Sequence, residues 1–339
     1  MEFVLVLALA FGVSLVLGPA SRTLAQRRQI LARPGGRRQH PGPVAKLGGL
    51  PLMAGYLVGI GLVYWLLPPQ GDDALRLRGV LLGSLLVFGG GLIDDRWELS
   101  PWAQFTIQFA GATVAMAHIV FIEVFTNPLT GEAVWIQWRP LALLVTALWI
   151  VGLINTVNWL DGLDGLAAGV GTIAALLFAW HSYRLGQGAV AAFPVALAGA
   201  LLGFLPYNFA KASLFLGTAG AYLLGFNLAT LAILSPAKIA TALLVMAVPI
   251  IDGLWRVIDR LRRGRSPFFG DRGHLHFRLA DEGVPPRVIV LGYYAVSLAF
   301  GLVAIFATGL LKLVFLLMLG VIVLALLVWL SFRGEAVGR

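Results

Sequence analysis

Cysteine is absent from this chain, which excludes disulfides, thiolate metal sites and a cysteine nucleophile and leaves the redox compartment unmarked. Charge is scarce as well: Asp, Glu, Lys and Arg make up 12% of 339 residues, against 59% hydrophobic, and the mean hydropathy is +0.88. Soluble domains carry roughly 25% charged residues, so a pair of soluble domains is excluded and an integral membrane protein remains. Acids are the scarcer sign, 16 against 25 Lys and Arg, for a formal net charge of +9. That excess does not read as a nucleic-acid surface. The basic residues sit in short segments between apolar runs, where topology signals and lipid headgroup contacts lie. No low-complexity tract, soluble domain or internal repeat is visible.

What is present is a succession of runs of roughly 20 apolar residues, each long enough to cross the hydrocarbon core. About eleven transmembrane helices are predicted, near 3–20, 48–67, 77–93, 101–120, 141–157, 164–183, 189–205, 218–235, 239–256, 288–309 and 312–332. The expected fold class is therefore all-α, one polytopic domain over 1–339, with its termini on opposite sides. With the N-terminus outside and the C-terminus cytoplasmic, all Lys and Arg except Arg76, Arg78, Arg139, Arg184, Lys238 and Lys312 fall inside, as the positive-inside rule requires. The first run, Val4 to Ala20, follows only Met1, Glu2 and Phe3. A secretory signal would carry basic residues there, so a retained span is expected. On the outer side, Ile122 to Pro140 alternates weakly and holds Asn127, Pro128 and Gly131, which predicts a short hairpin.

The acids segregate too. Asp94, Asp95, Glu98, Asp161, Asp164, Asp252, Asp259, Asp271, Asp281 and Glu282 all fall on the inner side, several within a turn of a span end. A carboxylate at the bilayer centre is disfavoured by about 2.5–3.5 kcal/mol, so such residues are paired, solvated or functional. For any one of them a solvated helix end is the bland reading; four inner loops carrying acids beside apolar spans weaken it. In GLIDDRWELS, Asp94 and Asp95 are neighbours about 100° apart on a helix, which points to two roles and not to one clamp. In NTVNWLDGLDGLAAG, Asn155, Asn158, Asp161 and Asp164 recur every third position. Gly162 and Gly165 are expected to break the helix and let Asn158, Asp161 and Asp164 converge, with close backbone approach to a phosphate or metal; a glycine-rich cap is the plainer alternative. The loop RVIDRLRRGRSPFFGDRGHLHFRLADEG supplies arginines suited to bidentate phosphate contact, which also serve topology, and His274 and His276, a weak metal signal by themselves. The first inner loop adds GRRQHPGPVAKLGG, with Arg37, Arg38, His40 and Lys46. Oxygen ligands of the kind Mg²⁺ prefers and guanidinium groups thus gather on one membrane face. That suits phosphoryl transfer, where positioning and charge neutralisation do most of the catalysis. Transport fits less well: transporter acids sit near the midplane on broken helices in repeated halves, and neither feature is expected here.

Over nearly its whole length the chain resembles the polyprenyl-phosphate N-acetylhexosamine-1-phosphate transferases, the family that includes the phospho-N-acetylmuramoyl-pentapeptide translocase. The resemblance rests on GRRQHPGPVAKLGG, GLIDDRWELSPWAQFTIQ, NTVNWLDGLDGLAAG, GFLPYNFAKASLFLGTAG and PIIDGLWRVIDRLRRGRSPFFGDRGHLHFRL, in that order. It implies transfer of a UDP-activated N-acetylhexosamine 1-phosphate, GlcNAc-1-phosphate above all, to undecaprenyl phosphate. UMP would leave, and the sugar-diphospho-lipid would serve cell-envelope polysaccharides such as lipopolysaccharide or teichoic acid. It also implies a multi-pass protein of the bacterial inner membrane, a homodimer, a Mg²⁺ (or Mn²⁺) cofactor, and a site built from loops 21–47, 94–100, 156–164, 206–218 and 257–287. By the same resemblance Asp94, Asp95 and Asp161 would be catalytic. Lys46, Asn158, Asp164, Asn208, Arg265, Arg272, His274 and His276 would bind substrate. Asp95, Asp161 and the residue at 218 would hold metal. Two positions depart from the pattern. LFLGTAG has Thr218 where the family has Asp, leaving the metal one charge short unless Asp161, Asp164 or Asp252 compensates, and Phe277 stands where another His is usual. A catalytically weakened homologue that binds lipid phosphate or nucleotide sugar is one alternative. A transporter of phosphorylated lipid is the other.

Overall fold

A backbone in lipid must satisfy its own hydrogen bonds, and the apolar runs accordingly become helices. The computed structural model describes residues 1–32, 42–234, 236–264, 266, 272–307 and 309–337. Among them the order is α1 (Glu2–Arg27), β1 (Leu31–Ala32), β2 (Val44–Ala45), α2 (Gly49–Leu66), α3 (Gly71–Trp97), α4 (Pro101–Ala117), β3 (Val124–Thr126), β4 (Ala133–Trp135), α5 (Arg139–Leu160), α6 (Leu166–Arg184) and α7 (Gly188–Asn208). There follow α8 (Gly217–Ile233), α9 (Pro236–Val245), α10 (Ala247–Arg262), α11 (Leu275–Asp281), α12 (Pro286–Phe306) and α13 (Gly309–Val337). This is an all-α polytopic membrane protein. Eight helices, α1–α3, α5–α7, α12 and α13, are long and apolar enough to cross a membrane; α4 and α8 have 17 residues each.

One expected span is broken. Where a single helix is predicted over 239–256, α9 and α10 meet at a bend of 75°. Pro249 lies in the first turn of α10, a place where its missing N–H leaves no gap in the ladder. From there on the chain is amphipathic: Asp252, Arg256 and Arg260 are buried while Leu254, Ile258 and Leu261 are exposed. A broken helix therefore does occur here, contrary to the sequence reading. The expected outer hairpin is present as the antiparallel pair β3–β4, with Val124 opposite Trp135.

The bundle is organised around α8, where every residue from Ala219 to Ile233 is buried and which packs on α2, α3, α5 and α9. Its polar midpoint is fully paired: Tyr56 Oη donates to Asn227 Oδ1 (2.6 Å), and Asn227 Nδ2 donates to Ser84 Oγ (2.8 Å) and Leu223 O (2.8 Å). This ties α2 and α3 to α8 with no orphaned group in that cluster. At the end of α3, a Cβ on Gly91 would sit 2.5 Å from Ala219 Cα, so only glycine lets the two helices approach this closely. That approach sets the position of the residues that follow.

Candidate functional site

The paired aspartates close the last turn of α3 and are both buried. Asp94 Oδ1 accepts hydrogen bonds from Leu99 N (3.0 Å) and Gln104 Nε2 (2.8 Å), while Oδ2 accepts from Thr218 Oγ1 (2.7 Å). Asp95 turns to the start of α8: Oδ1 accepts from Thr218 N (2.9 Å) and Oδ2 from Ala219 N (3.0 Å). A carboxylate on the exposed N–H groups of a helix N-terminus is a stabilising arrangement, here supplied by a different helix. Lys46 Nζ lies 3.6 Å from Asp95 Oδ1 and donates to Asp95 O at 3.4 Å. Lys46 is delivered by β2, which pairs with β1 and forms a parallel bridge from Ala45 to Leu214. Gly217 takes a left-handed φ of +74°, and a Cβ there would collide with Lys46 O. The two aspartates thus have different partners, as their angular separation implied, and meet only at Thr218.

The second cluster gathers at a turn. Helix α5 stops at Leu160, and the chain reaches α6 through Gly165 at φ +81°. Asn158, Asp161 and Asp164 line one cavity of about 1040 Å³, the convergence expected from the glycines. Asp164 Oδ2 accepts from Ala212 N (2.8 Å), fastening the turn to the α7–α8 loop. Asn208 also lines the cavity, but its amide works as a brace: Oδ1 accepts from Gly165 N (3.0 Å) and Nδ2 donates to Leu214 O (3.2 Å). Asn155 faces the other way, donating to Gln108 Oε1 on α4 at 2.6 Å.

The third wall comes from residues 272–280. Arg272 pairs with Asp281 (2.6 Å), and its guanidinium lies 4.9 Å from the ring centre of Phe277. His274 Nδ1 is 2.9 Å from Asp252 Oδ2. Lys46, Thr218, Arg272 and His274 all line the cavity. Asp94, Asp95 and His276 do not; the first two lie beneath it and touch it through Thr218 and Lys46. His276 is 1% exposed, and neither ring nitrogen has a hydrogen-bond partner among the described residues. Burial above all, then His274 and Arg272, pushes it down to about 3, so the ring is neutral at physiological pH. Arg265, His40, Arg37, Arg38 and Asp271 lie outside the described residues. Two cations singled out only as topology charges also reach the cavity, Lys211 and Arg287. The guanidinium of Arg287 donates to Ala210 O (3.4 Å).

Gly162 shows how tightly these walls meet. A Cβ there would collide with His276 Nε2 and sit 2.6 Å from Phe277 Cζ. Gly162→Ala should destabilise the protein by about 1–3 kcal/mol through overpacking and push α11 off the turn. A melting temperature equal to that of the wild type would remove this packing argument.

Fit to a divalent cation can be judged from the donors. Among the described residues no three Asp, Glu, His or Cys side chains are grouped to hold one ion. Asp95 and Thr218 stand to each other as cap and helix N-terminus, the Thr218 hydroxyl proton is committed to Asp94, and Asp252 is bound to His274. An ion held by oxygen donors in near-octahedral geometry would have to displace these bonds. At Asp95, Thr218 and Asp252 the arrangement therefore does not fit a resident Mg²⁺ or Mn²⁺, whereas Asp161 and Asp164 face the cavity itself.

Against known proteins, the model of glycosyl transferase family 4 matches residues 77–236. The chain is 35% identical over 301 residues to the decaprenyl-phosphate N-acetylglucosaminephosphotransferase of Mycobacterium leprae, covering 80% of this chain and 75% of that protein. It is 32% identical over 317 residues to the phospho-N-acetylmuramoyl-pentapeptide-transferase of Moorella thermoacetica, covering 88% and 96%. A probable undecaprenyl-phosphate N-acetylglucosaminyl 1-phosphate transferase of Bacillus subtilis is 28% identical over 309 residues, covering 88% and 84%. With likeness of this extent beside a cavity that gathers acids and cations at the ends of membrane helices, the chain belongs to glycosyl transferase family 4.

Proposed function

We propose that this protein transfers N-acetylglucosamine 1-phosphate from UDP-N-acetylglucosamine to a polyprenyl phosphate in a bacterial inner membrane, with the cavity on the cytoplasmic side. A lipid phosphate oxygen forms a bond to the sugar-bearing phosphorus. The bond from that phosphorus to the bridging oxygen breaks, and UMP leaves with that oxygen and its electron pair. The observation that carries this reading is the cavity itself. It joins Asn158, Asp161 and Asp164 to the cations Lys46, Lys211, Arg272 and Arg287 in a chain whose relatives are named for this transfer.

The residues divide the work by charge. Diphosphate is bound by guanidinium and ammonium groups, for which Arg is the better geometric match. Asp161 and Asp164, beside backbone of the 161–165 turn, suit the hydroxyl and N–H groups of a nucleoside and sugar. Little covalent chemistry is asked of the protein in such a step, and holding the two phosphates in line is its main contribution. No step is assigned to a metal. The bias of Lys and Arg toward the inner segments supports the orientation.

Purified protein in detergent, given UDP-N-acetylglucosamine and a polyprenyl phosphate, should release UMP only when both are present and yield the sugar-diphospho-lipid. Arg287→Ala should raise KM for the nucleotide sugar roughly ten-fold or more, corresponding to a charged hydrogen bond of about 1.5–3 kcal/mol. UMP release that ignores the lipid, or movement of lipid without covalent change, would overturn the proposal.

A further inference from the structure

Asp252 is a buried acid of α10 that neither the proposed chemistry nor the relatives' names account for. Both its oxygens are committed to the segment that bears His274: Oδ2 lies 2.9 Å from His274 Nδ1, and Oδ1 accepts from Leu275 N at 2.9 Å. The His274 ring also has two aromatic neighbours, one tilted against it and one stacked. Trp159 of α5 lies at 5.7 Å between ring centres, and His276 stacks at 5.8 Å with planes 8° apart. With its plane fixed by two rings and Nδ1 turned to the carboxylate, His274 lines the cavity, and Nε2 is the nitrogen left for a ligand.

We propose that Asp252 is a positioning residue: it fixes the tautomer of His274 so that Nε2 is the basic nitrogen at the cavity, able to take a proton and give an N–H to the donor's diphosphate. An ionised carboxylate only accepts, so Nδ1 must carry hydrogen; the hydrogen bond at one ring nitrogen decides the state of the other. The imidazolium formed on protonation keeps Asp252 as its counter-charge. The bend between α9 and α10 acquires a purpose in this way, because it lays Asp252 against the loop that an unbroken span would have carried it away from. The charged and titratable groups around the pair include Arg256 and Asp259 of α10, paired at 2.7 Å, Arg272, His276 and Arg278 on the side of α11, the last donating to Ser331 Oγ at 2.7 Å, and Tyr293 of α12, whose buried hydroxyl has no partner among the described residues. None can replace Asp252 at Nδ1: His276 is neutral and stacked, and Asp259 is held by Arg256.

The inference about the tautomer needs no substrate, while its use for diphosphate rests on the proposed transfer. Diethylpyrocarbonate acylates an unprotonated imidazole nitrogen, and peptide mapping separates His274 from the other histidines among the chain's five. In Asp252→Asn the amide can accept from Leu275 N and donate to Nδ1, which inverts the tautomer, so labelling of His274 should fall at least ten-fold. Asp252→Glu should recover most of the rate. A merely structural Asp252 would leave His274 equally reactive in Asp252→Asn, and that result would overturn the proposal. Should the asparagine variant not fold, ¹⁵N NMR of histidine-labelled wild type decides the matter. The signal lost in His274→Asn should report Nδ1–H in the neutral ring, and Nε2–H there would be fatal. In binding assays, UDP-N-acetylglucosamine should bind Asp252→Asn more weakly than the wild type, and Asp252→Glu nearly as well. Absence of any binding to the wild type would count against the proposed transfer and leave the labelling result standing.

Discussion

Asp95→Asn is expected to loosen the start of α8 as well as to remove a charge, lowering stability by about 3–5 kcal/mol, the usual result of breaking a buried ion pair from one side. Asp95 holds the N–H groups of Thr218 and Ala219 and faces Lys46. Asparagine keeps one acceptor oxygen but turns an NH₂ toward the other donor, so one helix N–H is left facing hydrogen and Lys46 is left buried without its anion. Because α8 is the axis on which α2, α3, α5 and α9 pack, the disturbance spreads through the bundle. Thermal unfolding in detergent measures it. Lys46→Met should be destabilising on its own. The double variant should then be less destabilised than the two singles added together, with a coupling of about 0.5–3 kcal/mol. If Asp95→Asn melted with the wild type yet lost all turnover, the carboxylate would be acting on substrate and the cap would be incidental. Asp94→Asn is the informative companion, since it replaces one acceptor oxygen, either that of Thr218 or the one shared by Leu99 N and Gln104, without touching the N–H groups at the start of α8.

These helices were legible because an apolar run of helix length marks a segment buried in lipid or in the bundle itself, and α1, α2, α5 to α8, α12 and α13 fall close to the predicted runs. The break at Met246 was not. Residues 239–251 are almost uniformly apolar, and composition alone continues the helix through them. Only the spacing of Asp252, Arg256 and Arg260 on one side and Leu254, Ile258 and Leu261 on the other marks a helix with a polar face turned into the protein and an apolar face turned outward.

In the site, the convergence of Asn158, Asp161 and Asp164 followed from two glycines and a three-residue spacing. Asn155, with the same spacing, lies still within α5 and points to Gln108, because the repeat drifts around the helix before the break. Lys211 and Arg287 carried no local mark. Their place at the cavity depends on how the start of α12 meets the α7–α8 loop, a tertiary contact. Nor does a pattern of residue types distinguish a carboxylate that lines a cavity from one that caps a neighbouring helix, which is the difference between Asp161 and Asp95.

Thr218→Asp should convert this site into one that depends on a divalent cation. In the present chain Thr218 Oγ1 donates to Asp94 Oδ2 at 2.7 Å, so the position is neutral and its proton strengthens an acid pair already held by the protein. An aspartate there removes that donor and sets a third carboxylate beside Asp94 and Asp95. Like charges 4 Å apart repel by about 4 kcal/mol at an effective dielectric constant of 20, so in EDTA the variant should melt well below the wild type. Mg²⁺ should then restore it, because an ion binding only the folded state at 100 times its Kd adds about 2.7 kcal/mol. The wild type should melt at the same temperature with and without Mg²⁺. Turnover carries the second readout. A charge contact made in the transition state is commonly worth about 10²–10³ in rate, so UMP release by the variant should rise by up to that factor and follow Mg²⁺ steeply. Two results together would defeat this account: a wild type whose melting temperature and rate both climb at low Mg²⁺, and a Thr218→Asp variant that does no better. The ion would then be held by the donor's phosphates with Asp161 and Asp164, and the hydrogen bond from Thr218 to Asp94 would be a support for α8 with no bearing on the cation.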